Sequence, residues 1–292
     1  MKQLVVISGK GGTGKTTVVG SFAALAERPV LADCDVDAAD LHLLLAPDVQ
    51  EEGDFVGPVN PAIDAALCTG CGACVEHCAF GALALNEEGV AQLDEVACEG
   101  CALCSRVCPV EAIAMRRVVA GRWFVSQTRF GPLAHAKLGV AQENSGKLVT
   151  LVRNKAAELA EQRAAPWLVV DGAPGIGCPV IASLAGADGV LIVTEPTLSG
   201  KSDMERVASL ADHFSIPVLV CVNKWDLNEA IAAEIEAHCL AGGYRIMGRI
   251  PYDDAVPRSI VAAVPLVEYD EGPAAKAVHQ LWDHVADALD GA

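Results

Sequence analysis

Basic residues are scarce in this chain: 21 Lys and Arg stand against 38 Asp and Glu, a formal net charge of −17 at pH 7. That balance excludes non-specific nucleic-acid binding, which depends on Lys and Arg neutralising phosphates. It leaves a solvated acidic surface, or a neutral or basic protein partner. Aromatic residues are thin at 4%, so the 52% hydrophobic content is mostly Ala, Val, Leu and Ile. Such a core suits buried parallel strands rather than aromatic-rich sandwiches. Long apolar runs are missing as well. No stretch approaches the about 20 residues that cross a bilayer. Leu4–Ile7 is too short for a signal-peptide core, and Gly9 and Lys10 follow at once. The expectation is a cytoplasmic protein with no direct membrane binding. Thiols stay reduced in the cytoplasm, so twelve cysteines point to metal ligation before disulfides.

At 292 residues the chain is long for one domain and short for three. It is large enough to bury a core without staples. Lys2–Ser8 reads as a buried strand running into the glycine-rich Gly9–Gly14, with a helix following from Gly14 to Glu27. Pro29–Ala32 reads as a second strand, closing on the acidic stretch Asp33–Asp40. Further strands are expected at Trp167–Val170, Gly189–Val193 and Pro217–Val222, with helices at Asp203–Phe214, Asn228–Cys239 and Pro273–Leu289. This order predicts an α/β fold with a mostly parallel sheet flanked by helices.

Residues 60–116 break the rhythm and hold eight of the twelve cysteines. Leu67–Leu85 and Ala97–Met115 align with each other without gaps. A repeat too small to hold its own core suggests two halves packed around metal. Pro58 and Pro61 open this segment, and Arg116 and Arg117 close it. The expected organisation is 1–58 as the first part of the larger domain, 59–116 as a small α+β insert, and 117–292 as the second part. Over 117–166 the pattern is weakest, with a strand at Gly121–Val125 and a helix at Ser145–Arg163.

Cys68, Cys71, Cys74 and Cys78 follow C-x2-C-x2-C-x3-C. Cys98, Cys101, Cys104 and Cys108 repeat it, with Pro109 after the second run. Zinc takes four ligands, usually as two separated pairs, which these crowded runs fit poorly. The spacing resembles that of bacterial two-cluster ferredoxins. The resemblance implies two [4Fe–4S] clusters. Three cysteines of each run would cap one cluster and the fourth would reach across to the other. Cys68, Cys71, Cys74 and Cys108 would hold the first, and Cys78, Cys98, Cys101 and Cys104 the second. Ala79 departs from the pattern, since Pro often follows the fourth Cys. His77 lies between two of these positions and is read as solvent-facing.

Gly9–Thr16 matches G-x-x-x-x-G-K-[ST] between a strand and a helix, the setting that gives this motif its meaning. Its backbone N–H groups, from Gly9, Gly11, Gly12, Thr13, Gly14 and on to Thr17, can close around phosphate oxygens at a helix N-terminus. Lys15 is placed for the β- and γ-phosphates and Thr16 for Mg²⁺. With Lys10, the loop is similar to the deviant P-loop of the MinD/ParA/Mrp ATPases and the nitrogenase iron protein. That likeness extends over most of the chain outside the cysteine segment. It implies a nucleotide-sandwich homodimer in which Lys10 reaches phosphates of the opposite subunit. It further implies that Asp35, in the run Asp33–Asp37, positions water and sits near Mg²⁺. By the same likeness Asp171, in Leu168–Gly175, binds Mg²⁺ through water, and the Gly175 N–H senses the γ-phosphate. Asp40 stands where relatives often carry Asn. For the base, Asn223, Lys224, Trp225 and Asp226 resemble N-K-x-D, whose Asp reads guanine in GTPases. Asn223 with Pro251 equally fits the way MinD-like relatives frame adenine, and ATP is the favoured ligand.

Four cysteines remain. Cys34 and Cys221 are read as small core residues at strand ends. Cys178 lies seven residues after Asp171, where the nitrogenase iron protein carries a bridging-cluster cysteine. A shared third cluster would need another cysteine per subunit, and the sequence offers none that is convincing. The C-x-x-C pair of Mrp-type cluster carriers is absent. The tail Ala275–Ala292 carries Asp283, Asp287 and Asp290 beside Lys276, unlike the basic membrane helix of MinD proteins. Trp282 and Leu289 are expected in the core.

Three functions follow. The first couples ATP hydrolysis in a homodimer to electron transfer toward a protein redox partner. The second is Mrp-type cluster assembly, with a cluster-acceptor protein as partner. The third is a MinD/ParA-like positioning switch whose clusters are structural or redox-sensing.

Overall fold

The computed structural model describes residues 1–139 and 145–290. Along the chain run β1 (Lys2–Ile7), α1 (Lys15–Leu25), β2 (Val30–Asp33), α2 (Leu41–Leu45), β3 (Asp48–Ile63), α3 (Ala73–Glu76), β4 (Leu83–Leu85) and β5 (Ala91–Leu93). Then come α4 (Leu103–Val107), β6 (Ile113–Gln127), β7 (Pro132–Leu138), α5 (Ser145–Gln162), β8 (Trp167–Asp171), α6 (Cys178–Leu184) and β9 (Gly189–Thr194). The chain closes with α7 (Leu198–His213), β10 (Val218–Asn223), α8 (Glu229–Ala241), β11 (Arg245–Ile250), α9 (Ala255–Val261), α10 (Leu266–Tyr269) and α11 (Pro273–Asp290). Contacts divide these elements into two compact units, one of Met1–Glu52, Trp123–Lys137 and the chain from Ser145 on, the other of Gly53–Arg122 with a short return from Leu138.

In the first unit the strands lie in the order β11-β10-β9-β1-β8-β2-β7, every neighbouring pair parallel. β6 and then β3 follow in the same sheet. β1, β8, β9 and β10 are near-continuous apolar runs because helices cover both faces of such a sheet. Every residue from Leu4 to Ile7 and from Val190 to Val193 is buried. α11 presents Val278, Leu281, Trp282, Val285 and Leu289 to the core. The Trp282 ring stands 4.9 Å from Phe22 and 5.0 Å from Trp167. Trp282 and Leu289 are core residues as expected; Gly291 and Ala292 of the acidic tail lie outside the described residues. No described helix is long and apolar enough to cross a membrane.

Register brings the strand ends together. Val6 of β1 pairs with Asp171 of β8, and Asp33 of β2 pairs with the same Asp171. Since β1 lies between β8 and β9, the order reverses there. Parallel α/β sheets open their ligand crevice at the carboxyl ends of strands at such a point.

The sequence expectations need correction in places. α7 begins at Leu198 rather than Asp203 because Thr197 caps it, its hydroxyl accepting from the Gly200 N–H at 2.9 Å. β6 runs over Ile113–Gln127, far beyond Gly121–Val125, and passes through the expected exit at Arg116 and Arg117. Its polar, half-exposed middle hides it. Cys221 sits inside β10 rather than at its end. β3, β7 and β11 carry no pattern that marks them in advance.

The second unit has little regular structure of its own. α3 and α4 are four and five residues long and pack together. Each starts after a residue with positive φ, Gly72 at 74° and Ala102 at 62°. β4 and β5 form a three-rung antiparallel hairpin, closed by the Asn86 side chain, which accepts from the Glu88 and Val90 N–H groups. One small buried cluster gathers Cys74, Leu83, Ala91 and Ile113, and Phe55, Ala82, Ala112 and Ala120 are buried as well.

Candidate functional site

At the end of β1 the loop Gly9–Gly14 turns back on itself, with φ of 81° at Gly12 and 92° at Gly14. Gly14 has no room for a side chain: a Cβ there would stand 2.4 Å from Asn223 Nδ2. Asn223 Nδ2 donates to the Thr13 carbonyl at 2.7 Å. Lys224 Nζ donates to the Gly12 carbonyl at 3.2 Å and pairs with Glu195 at 2.5 Å. α1 has no acidic residue in its first turn, so its positive end is left open to an anion.

Above this loop lies a cavity of about 520 Å³, a size suited to a small-molecule ligand. Gly11, Gly12, Thr13, Gly14, Lys15, Thr16, Thr17, Asp35 and Asp40 line it together with Asn223, Pro251, Tyr252, Val256, Pro257 and Ile260. The structure thus brings together most residues expected around a nucleotide. Gly9, Lys10, Asp171 and Gly175 lie outside this lining. Gly9 packs against Asp203. Lys10 Nζ lies 3.4 Å from Glu195 and 3.5 Å from the Ser199 hydroxyl. Gly175, with φ of 91°, spends its N–H on the Ser8 carbonyl at 2.9 Å. Thus the N–H expected to sense a γ-phosphate holds the β1 end in this conformation.

Lys15 is the electrostatic centre. Its Nζ lies 2.5 Å from Asp171 Oδ1 and 3.3 Å from Asp35 Oδ2. Burial alone would lower its pKa, but Asp171 and Asp35, with a smaller contribution from Asp33, raise it. Asp33 is fully buried and accepts from the Asp35 and Leu41 N–H groups, both at 3.2 Å. Burial, then the nearby Asp171, pushes Asp33 well above the usual carboxylate range. Asp35 is raised chiefly by burial, against the pull of Lys15. Asp171 Oδ2 and the Thr13 hydroxyl are buried with no partner in the protein. A lone carboxylate oxygen beside a phosphate loop fits a metal-bound water, and a lone hydroxyl fits a phosphate oxygen. The donor set therefore suits a Mg–nucleotide. Glu195 is a site residue that sequence reasoning misses, because nothing in its local sequence marks it; the link from β9 to Lys10 and Lys224 exists only in the folded chain.

The second unit contains two smaller cavities. One is lined by Cys68, Cys71, Cys74 and Cys108. The other is lined by Cys78, Cys98, Cys101 and Cys104. Each takes three cysteines from one run and the fourth from the other. Backbone N–H groups point at the sulfurs: Ala112 to Cys108 Sγ at 3.2 Å and Gly100 to Cys98 Sγ at 3.5 Å. The N–H groups of Ala91 and Gly70 lower the Cys68 thiol, whereas burial raises Cys74 and Cys104. Among the described residues no three His, Cys, Asp or Glu converge on a point that would hold a single metal ion. A cubane makes no such demand, because each thiolate binds a different iron. His77 is exposed, its Nδ1 2.9 Å from the Ala73 carbonyl. Cys178 is exposed at the start of α6. Cys34, Cys221 and Cys239 are buried, and burial pushes their thiols up to about 12, 12 and 11, which makes them poor thiolates.

Residues 4–266 match the family described as the CobQ/CobB/MinD/ParA nucleotide binding domain. The chain belongs to this family and is a MinD/ParA-type P-loop ATPase in fold and loop. An uncharacterized protein of Methanocaldococcus jannaschii is 28% identical over 296 residues, spanning 98% of this chain and 97% of that one. A Methanosarcina thermophila protein named "Probable ferredoxin" is 55% identical over 29 residues, 10% of this chain and 50% of that protein. Among solved structures, the septum site-determining protein MinD with Mg-ADP from Pyrococcus horikoshii superposes with a TM-score of 0.59 at 17% identity, covering 99% of this chain and 97% of that one. A ParA family ATPase from Chlorobium tepidum gives 0.57 at 17% identity, over 97% and 99%. At such identity the likeness concerns the fold.

Proposed function

We propose that this protein is an ATP-dependent iron–sulfur protein, in which a nucleotide-driven homodimer controls electron transfer through two [4Fe–4S] clusters. One observation carries this reading: the eight cysteines of the second unit sort into two cavities, each with three from one run and the fourth from the other. That arrangement is the ligand exchange of two-cluster ferredoxins. The unit is then the ferredoxin-like insert read at 59–116. Cys68, Cys71, Cys74 and Cys108 hold one cluster, and Cys78, Cys98, Cys101 and Cys104 the other. The clusters supply one-electron carriage. Around them the chain contributes N–H groups aimed at sulfur and a dry lining from Leu83, Ala91 and Ile113, both of which set reduction potential.

In the first unit, the Gly9–Thr17 backbone and Lys15 receive the phosphates of ATP, with Asn223 and Pro251 at the base. Thr16, Asp35 and Asp171 serve Mg²⁺ and its waters, Asp35 orients the attacking water, and Gly175 answers to the γ-phosphate. Lys10 leaves Glu195 to reach a second copy of the chain. Asp35→Ala should keep ATP binding while hydrolysis is lost; full ATPase activity in that variant would refute the assignment. The partner is a protein that accepts electrons.

Anaerobically purified protein should contain eight iron and eight sulfide per chain, about the content of two cubanes. Redox titration and partner reduction should shift when a non-hydrolysable ATP analogue is added. Iron at a single atom per site would remove the cluster assignment. Potentials and rates indifferent to nucleotide would remove the coupling, and transfer of labelled iron to an apo acceptor would favour cluster delivery instead.

A further inference from the structure

A guanine-reading site needs a free carboxylate to accept from the ring N1–H and the exocyclic amine. The sequence Asn223, Lys224, Trp225, Asp226 looks as if it supplies one. In the folded chain each polar member of this segment is already engaged with backbone. Asn223 gives its amide N–H to the Thr13 carbonyl at 2.7 Å and takes the Lys224 N–H on its oxygen at 3.0 Å. Lys224 gives its ammonium to the Gly12 carbonyl and to Glu195. Asp226 Oδ1 accepts the Tyr252 N–H at 2.7 Å. Asp226 is exposed and outside the cavity lining, whereas Ile250, Pro251, Tyr252 and Asp253 are in it. A second tie runs in parallel: the Arg249 guanidinium lies over the Trp225 ring at 5.2 Å and pairs with Glu236.

We infer that this segment is a brace rather than a base reader. Its front half grips the phosphate loop at Gly12 and Thr13. Its back half, through Asp226, holds the Ile250–Asp253 wall at a fixed distance from that loop. Asp226 is therefore a positioning residue. It acts on the nucleotide through the Tyr252 backbone and makes no contact with the base edge. The base then meets the apolar side chains of Pro251, Val256, Pro257 and Ile260; Asp253, the carboxylate of the same wall, has its Oδ1 taken by the Ala255 N–H at 2.8 Å. Those apolar side chains can take a purine face, and Asp226 is not among the residues lining the cavity that would meet its edge.

This inference rests on the nucleotide-binding reading, and one experiment separates the two. Mg–ATP, Mg–GTP and Mg–XTP are titrated into the wild type, Asp226→Asn and Asp226→Ala, alongside hydrogen exchange at the Tyr252 amide. An Asn oxygen can still accept that N–H, so Asp226→Asn should bind ATP within about twofold of the wild type and keep the amide protected. Asp226→Ala should bind ATP about tenfold more weakly and lose that protection. XTP should stay weak for all three proteins. If the wild type prefers GTP and Asp226→Asn turns to XTP, Asp226 reads guanine and the brace is overturned. If Asp226→Ala binds ATP like the wild type with the amide still protected, the brace is overturned while the ATP reading stands. A folded wild type that binds no nucleotide overturns both. Should Asp226→Ala fail to fold, the XTP response of Asp226→Asn decides alone.

Discussion

The two units hold their chemistry-bearing groups by different means. In the first, Asp33 and Asp171 close β2 and β8, Asp35 follows β2 by two residues and Lys15 opens α1, all anchored to strands buried along nearly their whole length. Four ionisable groups can be kept together because a large apolar core fixes the backbone that carries them. In the second unit the eight cysteines ride on loops, apart from Cys74 and Cys104 on helices of four and five residues. Its buried apolar side chains are few and mostly small, Cys74, Ala82, Leu83, Ala91, Ala112 and Ile113 among them. A segment of that size rarely supplies enough burial to offset its chain entropy and needs a staple. One unit can fold before it binds, whereas the other should depend on what its cysteines hold.

The largest expected effect follows from that contrast. Anaerobic chelation of iron should expose 53–122 to proteases while nucleotide binding by the first unit persists. Protection of 53–122 after iron loss would break the comparison. Next in size, Leu191→Ala, at a fully buried position of β9, should cost about 4 kcal/mol in denaturant unfolding of the first unit. A much smaller loss would mean that its core is not what holds it. Lys15→Ala should weaken ATP binding by about 3 kcal/mol, roughly a hundredfold. Affinity near that of the wild type, measured by calorimetry, would place the phosphates elsewhere.

The smallest effect is a pH response confined to the first unit. His135 on β7 is buried, its Nε2 2.9 Å from the Ser126 hydroxyl, with rings of Phe124 and His42 stacked at 5.0 and 5.8 Å. Burial, and to a lesser degree His42, brings its pKa from 6.5 down to about 4. Between those values the unfolded chain binds a proton that the folded chain refuses. Stability is therefore lost as pH falls through that window, by roughly 2–3 kcal/mol at the acid end. Thermal melts of wild type and His135→Gln should show the variant with the flatter profile; parallel profiles would assign the acid response to other groups.

Much of the first unit is legible in the chain for a physical reason. The phosphate loop is a contiguous run whose glycines and lysine act through local backbone geometry, so Gly9–Thr17 can be placed without a fold. The strands that are buried on both faces, β1, β8, β9 and β10, announce themselves as apolar runs. β3 and β6 do not, because their half-exposed residues carry neither a clean alternation nor a continuous apolar stretch. The start of α7 is hidden because its first turn is polar and only the Thr197 cap defines it.

Motifs whose members lie within a few residues of each other can be read from the chain alone: the phosphate loop, the two cysteine runs, and the acidic stretch after β2. Folding had to supply the meetings of residues far apart. Asp171 reaches Lys15 across 156 positions, and Asn223 reaches Thr13 across 210. Asp226 turns to the Tyr252 backbone, which changes an apparent guanine signature into a brace. The reason is that a side chain's chemistry is fixed by its type, whereas its role depends on which partner consumes its hydrogen-bonding capacity. That partner is chosen by packing and strand register, which no local pattern encodes.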